Sequence, residues 1–125
     1  MSSYAPTPQH QTAPQGSYVV IRVADVERSA QFYRSLGLEL TREKHGEGPV
    51  HFSFQLSPEV VCELYPLKNG VEPSTPQVRL GFRVDDLESL RANLVSAGSS
   101  IVAGATDDSF IVLDPSGNQV EISRR

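Results

Sequence analysis

Arg22-Val23-Ala24-Asp25-Val26-Glu27 and Arg83-Val84-Asp85-Asp86-Leu87-Glu88 are two copies of one pattern. Working outward from them, residues 18–37 lie over residues 79–98, with Ser35 on Ser96 and Gly37 on Gly98. Further along, Phe52 falls on Phe110 and Glu63-Leu64 on Glu121-Ile122. A repeat of about 60 residues, present twice, means two copies of one supersecondary unit. Equivalent side chains then surround a pseudo-twofold axis, and a binding site is expected where the copies converge.

Each copy reads as strand, helix and three strands. Tyr18 to Ala24 is rich in β-branched residues and predicts a strand. Asp25 follows as an N-cap whose carboxylate can accept from first-turn amides. Val26, Ser29, Tyr33 and Leu36 then mark one helix face, and Gly37 suits the left-handed residue that ends the helix. Strands are predicted at 38–44, 50–56 and 60–66, the last two joined by Ser57-Pro58-Glu59. In the second copy a strand covers 77–84, Asp86 caps a helix, and Leu87, Leu90, Leu94 and Ala97 form its apolar stripe up to Gly98. Strands follow near 100–103, 108–113 and 119–123, with Asp114-Pro115-Ser116-Gly117-Asn118 as the closing turn. The boundaries are an extended arm over 1–16, rich in Pro and Gln, a domain over 17–125 with modules of about 17–67 and about 77–125, and a linker of about 68–76.

The bulk properties narrow the partners. A net charge of −4 argues against nucleic acid, whose binders carry a basic face. No apolar run reaches the roughly 18 residues of a membrane span. The single cysteine, Cys62, excludes an intrachain disulfide and suits a reducing compartment. The first residues hold neither a basic region nor an apolar stretch, so no signal peptide is read and the cytoplasm is expected.

The run Asp-Val-Glu-Arg-Ser-Ala-Gln-Phe-Tyr-Arg-Ser-Leu-Gly-Leu after the first strand resembles the first module of the vicinal oxygen chelate superfamily (glyoxalase, bleomycin resistance protein, extradiol dioxygenase). Leu-Asp-Pro-Ser-Gly-Asn-Gln-Val-Glu-Ile resembles its closing hairpin, and the resemblance spans residues 18–123. It implies an α+β fold in which two βαβββ modules form a curled mixed sheet, helices outside and ligand in the cup. It also implies a homodimer.

Strand alternation then sorts side chains between helix and cup. Val19, Ile21, Val23, Val78, Leu80, Phe82 and Val84 go under the helices, as do Cys62, Leu64, Val120 and Ile122. The cup is left with Tyr18, Arg22, Glu63, Tyr65, Arg79, Arg83, Gln119 and Glu121 as ligand-binding candidates. Buried charges need partners, so this interior implies ion pairs or a polar ligand.

Metal-dependent members of the superfamily hold their ion at positions that correspond here to Tyr18, Glu63, Arg79 and Glu121. An arginine has no lone pair to offer and repels a cation. The expectation is therefore no metal ligands and no cofactor, with a divalent metal (Zn²⁺, Ni²⁺ or Fe²⁺) as the alternative. Arg79 is expected to neutralise Glu63 and Glu121. Of the three histidines, His10 lies in the arm, His45 in a turn, and His51 on a strand, where a surface or rim position is expected. Cys62 reads as a core residue, Asp107-Asp108 as a solvated loop, and Arg22 with Arg83 either as salt bridges or as clamps for an anionic ligand.

The resulting functional reading is a small-molecule-binding protein of the bleomycin-resistance type, without the family's metal. Three arginines do not suit a cationic drug. The alternative is a glyoxalase-type lyase or isomerase in which Glu121, or Glu63, moves a proton. A third class, a regulatory module using the fold for protein contact, is permitted by the composition and not selected by it.

Overall fold

Two aspartates start the two helices. Asp25 Oδ1 accepts from the Arg28 amide at 3.1 Å, and Asp86 Oδ1 from the Ser89 amide at 3.0 Å. Each satisfies an amide that a helix N-terminus leaves free. Gly37 (φ 101°) and Gly98 (φ 85°) turn the chain out of the helices in the left-handed region. The computed structural model describes residues 13–68, 78–104 and 106–125.

The element order is β1 (Tyr18–Val23), α1 (Val26–Ser35), β2 (Thr41–Glu43), β3 (His51–Ser57), β4 (Val60–Pro66), β5 (Arg79–Val84), α2 (Leu87–Ser96), β6 (Ile101–Ala103), β7 (Ser109–Leu113) and β8 (Gln119–Arg124). It is the expected βαβββ plan, twice. Each copy forms a mixed four-stranded sheet, ordered β1-β4-β3-β2 and β5-β8-β7-β6, in which the first strand runs parallel to the last. Most of the apolar alternation is as read. Ile21, Val23, Phe52, Phe54, Cys62 and Leu64 are buried on one face of the first sheet, and Leu80, Phe110, Val112, Val120 and Ile122 on the matching face of the second. Helix α1 covers its sheet with Ala30, Phe32 and Tyr33, and α2 with Leu87 and Leu94. Burying each large side chain contributes about 1.5–3 kcal/mol.

The two sheets share one core, where the rings of Phe54 and Phe82 lie 6.3 Å apart. A buried polar bond joins the modules: Tyr33 Oη donates to Asp114 Oδ2 at 2.8 Å. Asp114 also accepts from the Ser116 and Asn118 amides, both at 2.9 Å, and from Asn118 Nδ2 at 3.1 Å. The Asp-Pro-Ser-Gly-Asn turn is therefore organised around one buried carboxylate, which also anchors α1 of the other module. Burial, with Asp114 beside it, raises the Tyr33 hydroxyl far above its ordinary pKa. The Ala24 amide adds a second link, donating to Ser116 Oγ at 2.8 Å.

Some expectations need correction. Strand β2 is three residues long, because only 41–43 pair with β3. Val19 is 39% exposed, since it lies toward the open start of an edge strand. Ala97 is exposed: it is the C-cap of α2, where the chain already leaves the helix face. Residues 1–12 of the expected arm lie outside the described residues, as does the expected linker apart from Lys68. The described end of the arm lies against the β3–β4 turn, where Gln15 donates to the Glu59 carboxylate. Among the described residues no helix is long and apolar enough to cross a membrane.

Candidate functional site

The faces of the two sheets opposite the core carry the chemistry. In the first sheet the register places Val20 beside Glu63 and Arg22 beside Tyr65. It also places Ser53 beside Glu63 and Glu43 beside His51, while Phe52 pairs with Leu64 one step on. Since Phe52 and Leu64 face the core, alternation turns His51 and Tyr65 together onto the opposite face.

There the side chains stack across the strands. The Arg22 guanidinium lies 5.2 Å from the centre of the Tyr65 ring, within cation–π reach. Tyr65 stacks on His51 with centroids 4.2 Å apart and planes 9° apart, and the His45 ring follows at 5.2 Å. The His51 Nε2 is 3.3 Å from Glu43 Oε1, 3.4 Å from Tyr65 Oη and 3.9 Å from Glu63 Oε2. Its Nδ1 is 3.2 Å from the Pro49 carbonyl. A carbonyl only accepts, so that contact assigns the proton to Nδ1 and turns Nε2 toward the carboxylates.

His51 is thus a correction: it is 1% exposed, neither surface nor rim. Glu43, Tyr65 and the His45 ring pack over it, on the face that alternation gives to Glu63 and Tyr65. Glu43, His45 and His51 are the residues that sequence reasoning missed. One signal was available: once Phe52 and Phe54 are given to the core, His51 must share the face of Glu63.

In the second sheet Arg79 lies beside Gln119, Gly81 beside Glu121 and Arg83 beside Ser123. Arg79 Nε donates to Gln119 Oε1 at 2.9 Å. Among the described residues no ion pair joins Arg79 to Glu63 or Glu121. The expected role of Arg79 as their counter-ion is therefore not what the structure contains. The register explains it: Glu121 is two residues, about 7 Å along the strand, from the position opposite Arg79, and Glu63 lies in the other sheet, beside His51. Nothing stands within 4 Å of where a Cβ on Gly81 would be, so half-buried Glu121 adjoins open space.

The eight sequence candidates divide evenly. Tyr18, Arg22, Glu63 and Tyr65 lie on the first sheet, and Arg79, Arg83, Gln119 and Glu121 on the second. Within each group contacts form (Arg22 with Tyr65, Arg79 with Gln119). Tyr18 is 65% exposed beside Val61. The four positions that the resemblance gives to a metal do not fit one. The guanidinium of Arg79 is cationic and bonded to Gln119, and Tyr18 stands in the open. Cys62 is no nucleophile: burial, then the neighbouring Glu63, pushes its thiol up to about 12, so it stays protonated at neutral pH. A cleft of about 590 Å³ lies on the helix side, between Arg28, Gln31, Phe32 and Ser35 of α1 and the turns at Gly98 and Pro115. It contains none of the eight candidates.

The Glyoxalase/Bleomycin resistance protein/Dioxygenase superfamily model matches residues 16–122. The fold matches solved structures over nearly the whole chain. Hypothetical protein SA1046 from S. aureus aligns with a TM-score of 0.74 and 19% identity, over 92% of this chain and 97% of that one. TnmS3, an antibiotic binding protein from Streptomyces sp. CB03234, gives 0.69 and 20%, over 92% and 98%. The oxidase ChaP-H2 gives 0.69 and 20%, over 91% and 95%. No curated protein matches the sequence. The duplicated βαβββ unit, its strand order and the family match over both modules make this chain a member of the Glyoxalase/Bleomycin resistance protein/Dioxygenase superfamily.

Proposed function

We propose that this protein binds a small, planar, oxygen-rich anion against its two sheet faces, and does so as a homodimer. The carrying observation is that Arg22, Arg79 and Arg83 are exposed on those faces without a carboxylate partner among the described residues. Arg42, Arg124 and Arg125, elsewhere, each meet an acidic side chain; among the described residues Arg28, Arg34 and Arg91 do not, but they lie on the helices and not on these faces. Guanidinium groups held apart from carboxylates suit carboxylate, phenolate or enolate oxygens. The exposed Arg22 guanidinium, backed by the Tyr65 ring, leaves its outer face free to stack on a planar ligand. The antibiotic-binding role of TnmS3 supports sequestration as what such a cup does. Tyr18, Val19 and Val20 leave an apolar strip exposed on edge strand β1, and a second copy of the chain would cover it.

Calorimetric titration with a planar aromatic carboxylate and with its cationic amine counterpart tests this. The carboxylate is expected to bind, and Arg22→Ala and Arg83→Ala each to weaken it about tenfold, or about 1.4 kcal/mol. Equal binding of the amine would overturn the reading.

A second reading rests on Glu121 beside the open space at Gly81. A carboxylate with room next to it can take a proton from a small oxygenated substrate, as a lyase or isomerase requires. Turnover of a hemithioacetal, abolished by Glu121→Gln, would establish it. Absence of turnover with retained binding leaves the first reading alone.

A further inference from the structure

Four acidic or imidazole side chains converge in the first module at a point that the duplicated architecture does not demand. In the second sheet Ser109 faces Ser123, at the positions that His51 and Tyr65 occupy in the first. The fold thus closes this position with two serines. In the first module Glu43, His45 and His51 bring one ligand atom each within 4.8 Å of one another, and Glu63 lies 3.9 Å from His51 Nε2. His51 is buried, and the Pro49 carbonyl orients its ring. Holding one imidazole nitrogen by a backbone carbonyl, with the other directed inward, is how metal-binding histidines are set.

A neutral His51 presents a lone pair at Nε2, and two carboxylates facing a lone pair require a cation between them. A proton would serve. It would not account for the second imidazole, since His45 adds nothing to a satisfied imidazolium. We propose that Glu43, His45 and His51, with Glu63 as the fourth ligand, bind a divalent first-row metal such as Zn²⁺. Two nitrogens and two carboxylate oxygens suit that class. Bonds of about 2.1 Å place tetrahedral ligands about 3.4 Å apart, so the set must tighten around the ion. His45 is exposed in the turn between β2 and β3, where Gly46 takes a positive φ, and it can move inward at little cost. This site shares only Glu63 with the positions that the superfamily resemblance marks.

The test is titration of the full chain with Zn²⁺, followed by calorimetry and by nitrogen NMR of the histidine rings. One ion per chain is expected, shifting the Nε2 resonance of His51 and a ring nitrogen of His45. His45→Ala and Glu43→Gln should each weaken binding at least tenfold and leave the melting temperature of the metal-free protein unchanged. These two are exposed or half-buried, so the result does not depend on whether His51→Ala folds. No stoichiometric binding overturns the proposal, as does a His51 ring that keeps protons on both nitrogens in excess Zn²⁺. Binding that survives His45→Ala and Glu43→Gln but fails in Glu121→Gln also overturns it, by placing the ion at the superfamily positions.

Discussion

The Tyr65 ring lies parallel to that of His51, 4.2 Å away, and its hydroxyl is 3.4 Å from His51 Nε2. One residue therefore supports a buried imidazole with its face and touches it with its polar tip. It offers its other face to Arg22.

These roles separate by substitution. Tyr65→Phe keeps both stacks and loses one polar contact, an expected cost of about 0.5–1.5 kcal/mol. Tyr65→Ala loses the ring and should cost more, roughly 2 kcal/mol for a half-buried side chain, given about 3–5 for a fully buried one. Urea unfolding of the two variants measures the difference. Equal costs would mean that the stack contributes nothing.

Tyr33→Phe removes a buried bond to a carboxylate and should destabilise the protein by about 1.5–3 kcal/mol. Asp114→Ala should cost more, because four donors lose their acceptor. Denaturant midpoints at constant slope check both. The pair should also be non-additive in a double-mutant cycle, since either change alone removes their shared bond.

Alkaline pH should weaken the fold through Cys62. The folded chain holds the thiol proton up to about 12, whereas the unfolded chain releases it near 9.0. Unfolding therefore releases a proton in that window, and stability falls as pH rises through it. Tyr33, also raised, adds to the fall above pH 10.0. Melting temperatures of the parent and of Cys62→Ala, followed from pH 8 upward, should diverge in slope first between 9.0 and 10.0. Parallel curves would exclude the thiol as the cause.

If β1 lies in a dimer interface, Tyr18→Glu should convert the protein to a monomer by placing a charge on its exposed apolar strip. Sedimentation velocity reads this directly. A monomeric parent chain at micromolar concentration would exclude the dimer.

The fold was legible in the sequence because its determinants are local. Asp25 and Asp86 cap, Gly37 and Gly98 stop, and Phe52 with Phe54 announces which side of β3 meets the helix. The candidate site was legible only in outline. Alternation tells the two faces of a strand apart, but not whether the face away from the helix meets solvent or a neighbour. His51 escapes because a histidine at the first position of β3 carries no apolar label, and only Phe52 and Phe54 beside it show that it shares the face of Glu63 and Tyr65. Arg79 was misassigned for a related reason: the residue opposite it depends on the β5–β8 register, a long-range relation that makes Gln119 its neighbour rather than Glu121.

The bond from Tyr33 to Asp114 has a consequence for the history of the chain. In the repeat, Tyr33 lies over Leu94 and Asp114 over Leu56. Neither copy carries both partners, so the bond can form only between unlike halves. A duplicated ancestor with two interchangeable halves could pair them in several ways. The present halves are lock and key to each other: expressed as separate fragments, they should recombine as a heterodimer, and neither should assemble with itself.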